Sequence, residues 1–270
     1  MKKTLIALAV ATSAVVSGAA MAWTAGGDGG SVEIGGTLTP ETPETVLPWE
    51  VKIGSKVADL NAKIKKGQSE VDIVASKAIP VLGIRVADVN GFVGGVGLSP
   101  QINYAGAIAL DGFNREVTTL SLEVQNAEGN KIGSLTAPFF AAAMRSYYEP
   151  GTEDETGVPN YGQRGLVARQ AGDAFYGGLN TGYITETPAG AYVTRVGALD
   201  PEFVAKYTSV GDYHSSSNSV DSFTLSNIVY NAFYGSGIEK DQTIKITLDS
   251  PAESDAITWK ASLPVVVSYQ

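Results

Sequence analysis

The sequence predicts an all-β protein of the sandwich type, and three observations carry this prediction. From residue 257 to the C-terminus every second residue is apolar, which is typical of a strand with one buried face. Near the N-terminus, Val32, Ile34 and Leu38 repeat the same period of two. Between these ends, short apolar runs alternate with turn residues. The apolar positions of the last segment are Ile257, Trp259, Ala261, Leu263, Val265, Val267 and Tyr269.

The first 22 residues have the features of a secretory signal peptide. Lys2 and Lys3 precede an apolar and small-residue run over 4–20, and Ala-Met-Ala at 20–22 is a typical cleavage site. The alternative is a membrane anchor, which is less favoured because the apolar part is short and interrupted by polar residues. We therefore expect export, with Trp23 as the first residue of the mature chain.

The charge and composition exclude several classes of partner. Loss of Lys2 and Lys3 with the leader lowers the formal net charge from −9 to −11. Such an acidic surface argues against nucleic acid or an anionic membrane as a partner. The chain contains no cysteine, so its stability must come from core burial or from contacts with other chains.

Strand signals continue through the rest of the chain. A hairpin is predicted around the turn residues 126–130, because alternating runs flank Asn, Gly and Asn there. Pro251 to Asp255 then turns the chain into its last segment. The predicted strands lie near 49–53, 71–74, 81–89, 117–124, 131–137 and 243–248.

The middle of the chain lacks this alternation. We expect the regular sheet to stop at 139–144, which is apolar without period, and to give way to a partly helical insertion over about 139–220. One helix is predicted over Arg164 to Phe175 and another from the cap Asp200 to Gly211. The segment 223–233 is compatible with either a helix or a strand.

Enzymatic chemistry finds little support in the sequence. His214 lies beside Ser215 and near Asp212 and Asp221, but a triad is assembled from separate elements and no G-x-S-x-G motif occurs. A lone histidine in a polar loop is the favoured interpretation, so we expect no enzyme.

Metal and phosphate sites find equally little support in the sequence. Glu153, Asp154 and Glu155 are consecutive and lack the alternating spacing of a calcium loop, which favours a solvated acidic loop. The glycines between 91 and 97 are not followed by the Lys-Ser or Lys-Thr of a phosphate loop. We expect no cofactor.

A binding role has better candidates in the inserted region. Tyrosine rings can stack on the apolar face of a sugar while nearby polar groups bind its hydroxyls. Tyr147, Tyr148, Tyr161 and Arg164 are the candidates for such a receptor site. The alternative is that these tyrosines only anchor a long loop onto the sandwich.

Several segments together resemble the subunits of the K88 (Fae-type) adhesive fimbriae of enteric bacteria. They include the leader with Trp23, the run 30–39, the hairpin with Lys131, Gly133 and Ser134, and Phe175-Tyr176-Gly177-Gly178-Leu179. The C-terminal run from 242 to 269 completes the resemblance, which spans both ends and the middle of the chain. It is weakest from 147 to 222.

The resemblance implies an incomplete immunoglobulin-like β-sandwich over 41–270 that another chain completes. A periplasmic chaperone and an outer-membrane usher would assemble it, and the extension 23–40 would serve as donor strand for a neighbouring subunit through Val32, Ile34 and Leu38. The expected groove wall and chaperone contact is Ala261, Leu263, Val265, Val267 and Tyr269. Pro264 lies on the outward parity, where an edge strand tolerates proline.

Two functions remain open at this point. The first is a structural subunit of a surface fimbria, whose partners are other fimbrial subunits, the chaperone and the usher. The second is an adhesin that binds host glycoconjugates through the inserted region. In the family that the chain resembles, the major subunit combines both roles, and the sequence does not distinguish a major from a minor subunit.

Overall fold

Strands dominate the structure. A computed structural model describes residues 47–182, 190–209, 218–253 and 255–270. The chain divides into units 1–45 and 46–270, and the described residues all belong to the second. The strands are β1 Trp49–Ile53, β2 Glu70–Val74, β3 Ile79–Val86, β4 Phe92–Val93, β5 Pro100–Asn103, β6 Val117–Gln125, β7 Lys131–Glu149, β8 Asn160–Gly165, β9 Val229–Ile238, β10 Thr243–Leu248, β11 Lys260–Ala261 and β12 Val266–Tyr269. The α-helix α1 spans Ala191–Leu199, and two 3-10 helices span Leu110–Gly112 and Pro201–Phe203.

The 19-residue strand β7 organises the fold because it pairs with different neighbours along its length. Its first part lies between β6 and β10, and β10 in turn pairs with β2. Its second part lies between β9 and β8, and β9 pairs with β3, which pairs with β1. All of these pairs are antiparallel. A strand that passes from one set of neighbours to another is typical of a sandwich corner, and the predicted all-β sandwich-like class is confirmed.

The prediction that regular sheet stops at 139–144 is wrong, since these residues lie in the middle of β7. The sequence shows no alternation of apolar and polar residues here, because both faces of this part of the strand are buried. Phe139, Ala141 and Ala143 belong to the main core. Phe140 and Met144 face a second, smaller apolar cluster.

The second cluster lies between the outer face of the sheet and α1. Tyr192, Val196 and Leu199 lie at helical spacing on one side of α1, and all three are buried there. Phe203, from the 3-10 helix after α1, is also buried in this cluster. Glycines in the sheet make room for it, because a Cβ at Gly83 would lie 2.1 Å from the Phe203 ring.

Ion pairs surround this second cluster. Arg195 of α1 donates to both oxygens of Glu239, at 2.9 and 2.8 Å, and also to Glu116 at 3.3 Å. Its guanidinium carbon lies 4.1 Å from the centre of the Phe140 ring. Tyr192 donates a hydrogen bond to buried Glu116. The helix is therefore held on the sheet by apolar and polar contacts together.

Neither predicted helix has the expected bounds. Residues 164–175 end β8 and then form turns, in which the Asp173 carboxylate accepts hydrogen bonds from the backbone N–H groups of Arg169 and Gln170. The Asp200 carboxylate does accept from the N–H of Glu202, as a cap should, but only the short 3-10 helix Pro201–Phe203 follows it. The α-helix precedes that cap.

The predicted hairpin agrees with the structure, whereas the C-terminal strand differs from its prediction. The hairpin joins β6 to β7. The backbone N–H of Asn126 donates to the carbonyl of Asn130, and the side-chain oxygen of Asn126 accepts from the backbone N–H of Asn130. The ambiguous segment 223–233 enters strand β9 at Val229. The single long C-terminal strand is replaced by two short strands, β11 and β12. Within the described ranges, no helix has the length and apolar character that a membrane crossing requires.

Candidate functional site

The C-terminal segment is half-buried in a strictly alternating way. Along residues 259–270 each odd-numbered residue is partly buried and each even-numbered residue is exposed. The partly buried set packs against the main core and consists of Trp259, Ala261, Leu263, Val265, Val267 and Tyr269. Ile257 does not join this set, because it is 39% exposed and does not pack on the core. Pro264 is exposed, as its parity predicts.

This segment makes few ladder pairs for its length. β12 pairs with β5, and Gln270 and Ser99 exchange backbone hydrogen bonds of 3.0 Å in both directions. β11 pairs with β6 through two residues. Among the described residues no second strand pairs with the other edge of either element. The segment is therefore an edge whose apolar side chains are only partly buried.

Strand β1 has exposed apolar residues on its core face. Trp49 is buried, and its indole N–H donates to the carbonyl of Leu98 at 2.7 Å. Val51 and Ile53 share the face of Trp49, because alternate residues of a strand point the same way. They are nevertheless 42% and 53% exposed.

The neighbouring strand β3 shows that Val51 and Ile53 lie on the core face of the sheet and not on its outer surface. Val51 and Ile53 pair with Ile84 and Leu82 of β3, and both of these are fully buried. Residues that oppose each other in an antiparallel pair share a face. The cover over the core face is thus complete above β3 and incomplete above β1.

Tyr269, the penultimate residue, is a half-covered aromatic in this region. It pairs with Pro100 of β5 and packs against the main core. Burial raises the pKa of its phenol, so the hydroxyl is neutral at physiological pH. The donor-strand candidates Val32, Ile34 and Leu38 lie outside the described residues.

The receptor candidates separate onto two faces of the sheet. Tyr148 of β7 pairs directly with Tyr161 of β8, so the two rings lie side by side on one face. Tyr147 and Arg164 belong to the opposite parity. Tyr147 packs against the core, and the guanidinium carbon of Arg145 lies 4.5 Å from the centre of its ring.

A cavity of about 230 Å³ opens beside Tyr148 on the outer face of β7 and β9. Ser146 pairs with Asn231, and Tyr148 pairs with Val229, so these four side chains share a face. Asn90 and Thr208, which lie outside the strands, contribute further polar groups to the lining of the cavity.

Asn231 is a residue that the sequence analysis missed. It is 5% exposed and lies between Tyr230 and Ala232 in a strand whose other polar residue is Ser236. A single amide within such a run costs free energy unless it is bonded, which is the signal that could have found it. Its amide nitrogen donates to the carbonyls of Val89 and Lys206 at 2.9 and 3.1 Å.

The other candidate motifs have structural roles where they are described. One Asp154 carboxylate oxygen accepts bonds from the Thr156 hydroxyl and from two backbone N–H groups, and these bonds lower the pKa of the carboxyl. Asp221 forms an ion pair of 2.6 Å with Arg145. His214 lies outside the described residues, within which no group of three or more potential metal ligands occurs.

Comparison with known proteins gives one consistent family. The family model described as "Fimbrial, major and minor subunit", for K88 fimbriae, matches residues 1–270. Among similar proteins of Escherichia coli, K88 fimbrial protein AB is 31% identical and K88 fimbrial protein AC is 30% identical. F41 fimbrial protein, from the same species, is 28% identical. Each of the three alignments covers the whole of both chains.

Proposed function

Since the chain belongs to the K88 family of major and minor fimbrial subunits, we propose that it is a structural subunit of a surface fimbria assembled by donor-strand exchange. In this proposal residues 1–22 are removed during export and a periplasmic chaperone covers the groove beside the C-terminal segment. An outer-membrane usher then replaces the chaperone with residues 23–40 of the next subunit. No catalytic step is involved.

The observation that supports this proposal most is the incomplete cover of the core along one side. Val51 and Ile53 are exposed on the core-facing side of β1, and the odd-numbered residues of 259–269 are only partly buried. A strand that carried Val32, Ile34 and Leu38 would cover such a surface and bond to the free edge. Burial of a large apolar side chain contributes roughly 1.5 to 3 kcal/mol, so three of them make a persistent joint.

The experiment compares two chains co-expressed with the fimbrial chaperone and usher. Both are made with the leader, and after its removal one begins at Trp23 and the other begins after Pro40. We expect heat-resistant multimers from the first and a chaperone-bound monomer from the second. If both are stable monomers without a chaperone, donor-strand exchange is refuted.

A second role as adhesin for host glycans is favoured by one arrangement. Tyr148 and Tyr161 lie side by side and are both partly exposed, which suits stacking on a sugar ring. We expect the variants Tyr148→Ala and Tyr161→Ala to form normal fibres that bind glycans more weakly. Arg164→Ala, on the opposite parity, is the matched control. Fibres of the unaltered chain that bind no glycan on an array would refute this role.

A further inference from the structure

Three exposed apolar side chains form a patch on one side of the molecule. They are Val93, Val96 and Leu225, which are 57%, 88% and 54% exposed, and we call them the entry patch. Val96 is the most exposed of the large apolar side chains in the described ranges. A single exposed apolar residue is ordinary, whereas a contiguous group of them marks an interaction surface.

The contacts of Trp49 show where the entry patch lies. The Trp49 ring centre is 5.0 Å from that of Phe92 and 5.4 Å from that of Phe223. The Trp49 indole N–H donates to the carbonyl of Leu98 at 2.7 Å. Each member of the entry patch is at most two positions away in sequence from one of these three neighbours of Trp49. The entry patch therefore surrounds the first residue of β1.

The backbone beneath the entry patch is held by hydrogen bonds and close packing. Val93 pairs with Val229 of β9. The N–H of Gly94 donates to the carbonyl of Ile228 at 3.0 Å. A Cβ at Gly94 would lie 2.4 Å from the carbonyl oxygen of Leu225, so only a glycine allows this approach. The exposure of the patch is thus a property of an ordered surface.

The first described residues lie beside the entry patch. The described chain begins at residue 47, and the carbonyl of Pro48 accepts from the N–H of Ala87 at 2.8 Å. In the proposed assembly, residues 23–40 fill the groove of a neighbouring subunit. A chain advances at most about 3.6 Å per residue, so residue 40 in that groove lies within about 25 Å of residue 47. The subunit that takes up the extension must therefore be close to the entry patch.

The charge distribution suits a contact between two copies of this chain. The mature chain has a formal net charge of −11, so two copies repel each other over most of their surfaces. The two segments that carry the entry patch, 91–98 and 222–228, contain no charged residue. The cores of protein interfaces are depleted of charged residues in the same way. A second copy can dock here without burying a charge or opposing like charges.

We propose that the entry patch docks onto the neighbouring copy of this chain whose groove takes up residues 23–40. The inference rests on the proposed assembly by donor-strand exchange and adds a second contact between successive subunits. One inserted strand leaves two subunits free to rotate about the segment that connects them. A second contact beside the point of entry removes that freedom, so the patch sets the orientation of one subunit on the next.

The test uses mixed fibres of two forms of the chain, co-expressed with the chaperone and usher. The full form begins at Trp23 after removal of the leader. The short form begins after Pro40, so it accepts a donor strand, supplies none and ends the fibre. Val96→Cys is introduced into one form at a time, as the only thiol in the fibre. We expect maleimide to label it at least fivefold more slowly in the full form, because only that form has the neighbour.

Val74→Cys is the matched control. Val74 is 60% exposed on β2, the strand at the other end of the sheet from β1, and we expect equal labelling in both forms. Equal labelling of Val96→Cys in the two forms overturns the inference, whether both are slow or both are fast. Labelling that slows only after phosphatidylcholine vesicles are added assigns the patch to a membrane and also overturns it.

Failure of the inference is distinguishable from failure of the proposed assembly. Heat-resistant multimers in which Val96→Cys reacts equally in both forms overturn the docking contact and leave donor-strand exchange intact. If the full form yields no heat-resistant multimers, donor-strand exchange is refuted and the docking contact falls with it. Val96 is 88% exposed, so Val96→Cys is expected to fold and to enter fibres like the unaltered chain.

Discussion

The two faces of the sheet are covered in different ways. The outer face of β7 and β9 is covered by the chain itself around Phe140, Met144 and Phe233, through α1, Phe203 and the ion pairs of Arg195. The core face is closed over β3 and left partly open over β1 and beside the C-terminal segment. The apolar residues at the open side are no less apolar than those at the closed side. The exposure of Val51 and Ile53 therefore does not follow from a polar sequence, and in the proposed assembly a strand of another subunit covers them.

The largest expected effect follows from placing a charge in the donor segment. Ile34→Asp would bury a carboxylate without a cation in the groove of the next subunit, which costs several kcal/mol. We expect loss of heat-resistant multimers in gel analysis of surface fibres. Glu33→Ala, on the opposite parity of the same strand, is the control and is expected to assemble. Normal multimers of Ile34→Asp would contradict the proposal that Ile34 is buried in the groove of the next subunit.

The closed face is tested by removing its central ring. Phe203 is 2% exposed, and Phe203→Ala is expected to lower the free energy of unfolding by about 3 to 5 kcal/mol, because a cavity remains between α1 and the sheet. Chemical denaturation of the chaperone-bound subunit, compared between the variant and the unaltered chain, measures this. Val193→Ala, a partly buried neighbour, is expected to cost less than about 1.5 kcal/mol. Equal effects of the two would show that α1 is not packed as described.

A smaller effect is expected at the penultimate residue. Tyr269→Ala removes a half-covered ring from the open side, and we expect the complex with the chaperone to weaken by about 1 to 2 kcal/mol. Ser268→Ala, on the exposed parity, is expected to leave the affinity unchanged. Surface plasmon resonance with immobilised chaperone measures both, and equal affinities would remove Tyr269 from the chaperone contact.

The smallest effect is a pH dependence of the closed face. Burial would raise the pKa of Asp200, but the hydrogen bonds from Lys52 and from the N–H of Glu202 outweigh it and lower the pKa below its ordinary value. A lowered pKa stabilises the folded state above the ordinary value of about 3.8, and this stabilisation is lost as the pH falls through the lower folded pKa.

We expect the contribution of Asp200 to stay below about 1 kcal/mol, since its partner Lys52 is 53% exposed and solvent screens the pair. Denaturation of the unaltered chain and of Asp200→Asn at pH 6 and pH 2.5 measures it. The difference between the two proteins should be present at the higher pH and shrink at the lower one. A difference that is constant with pH would assign the effect to something other than the charge.

The sequence predicted the strands best where one face of a strand is buried. The alternation over 259–269 reappears as alternating burial, and the 49–53 run forms β1 with Trp49 in the core. Alternation could not reveal that Val51 and Ile53 lack cover, because the pattern reports which face a side chain occupies and not what lies above it.

The middle of the chain was predicted poorly for a physical reason. Residues 139–144 serve two apolar clusters, one on each side of β7, so the period of two disappears. The spacing of Tyr192, Val196 and Leu199 could have identified α1, but the cap at Asp200 drew the helix prediction downstream. The pair Tyr148 and Tyr161 was a candidate, whereas Asn231 lies some 80 residues away in sequence, and only the pairing of β7 with β9 brings it close.

The most direct test of the central claim uses the absence of cysteine from the chain. Val51→Cys and Lys52→Cys place single thiols on opposite sides of β1, at positions where Val51 is 42% exposed and the Lys52 side chain is 53% exposed in the subunit. The rate of maleimide labelling is then measured in assembled fibres. We predict that Lys52→Cys reacts freely and that Val51→Cys reacts at least tenfold more slowly, because a neighbouring strand covers the core face. Equal rates at both positions would contradict the claim that another chain closes this side of the sandwich.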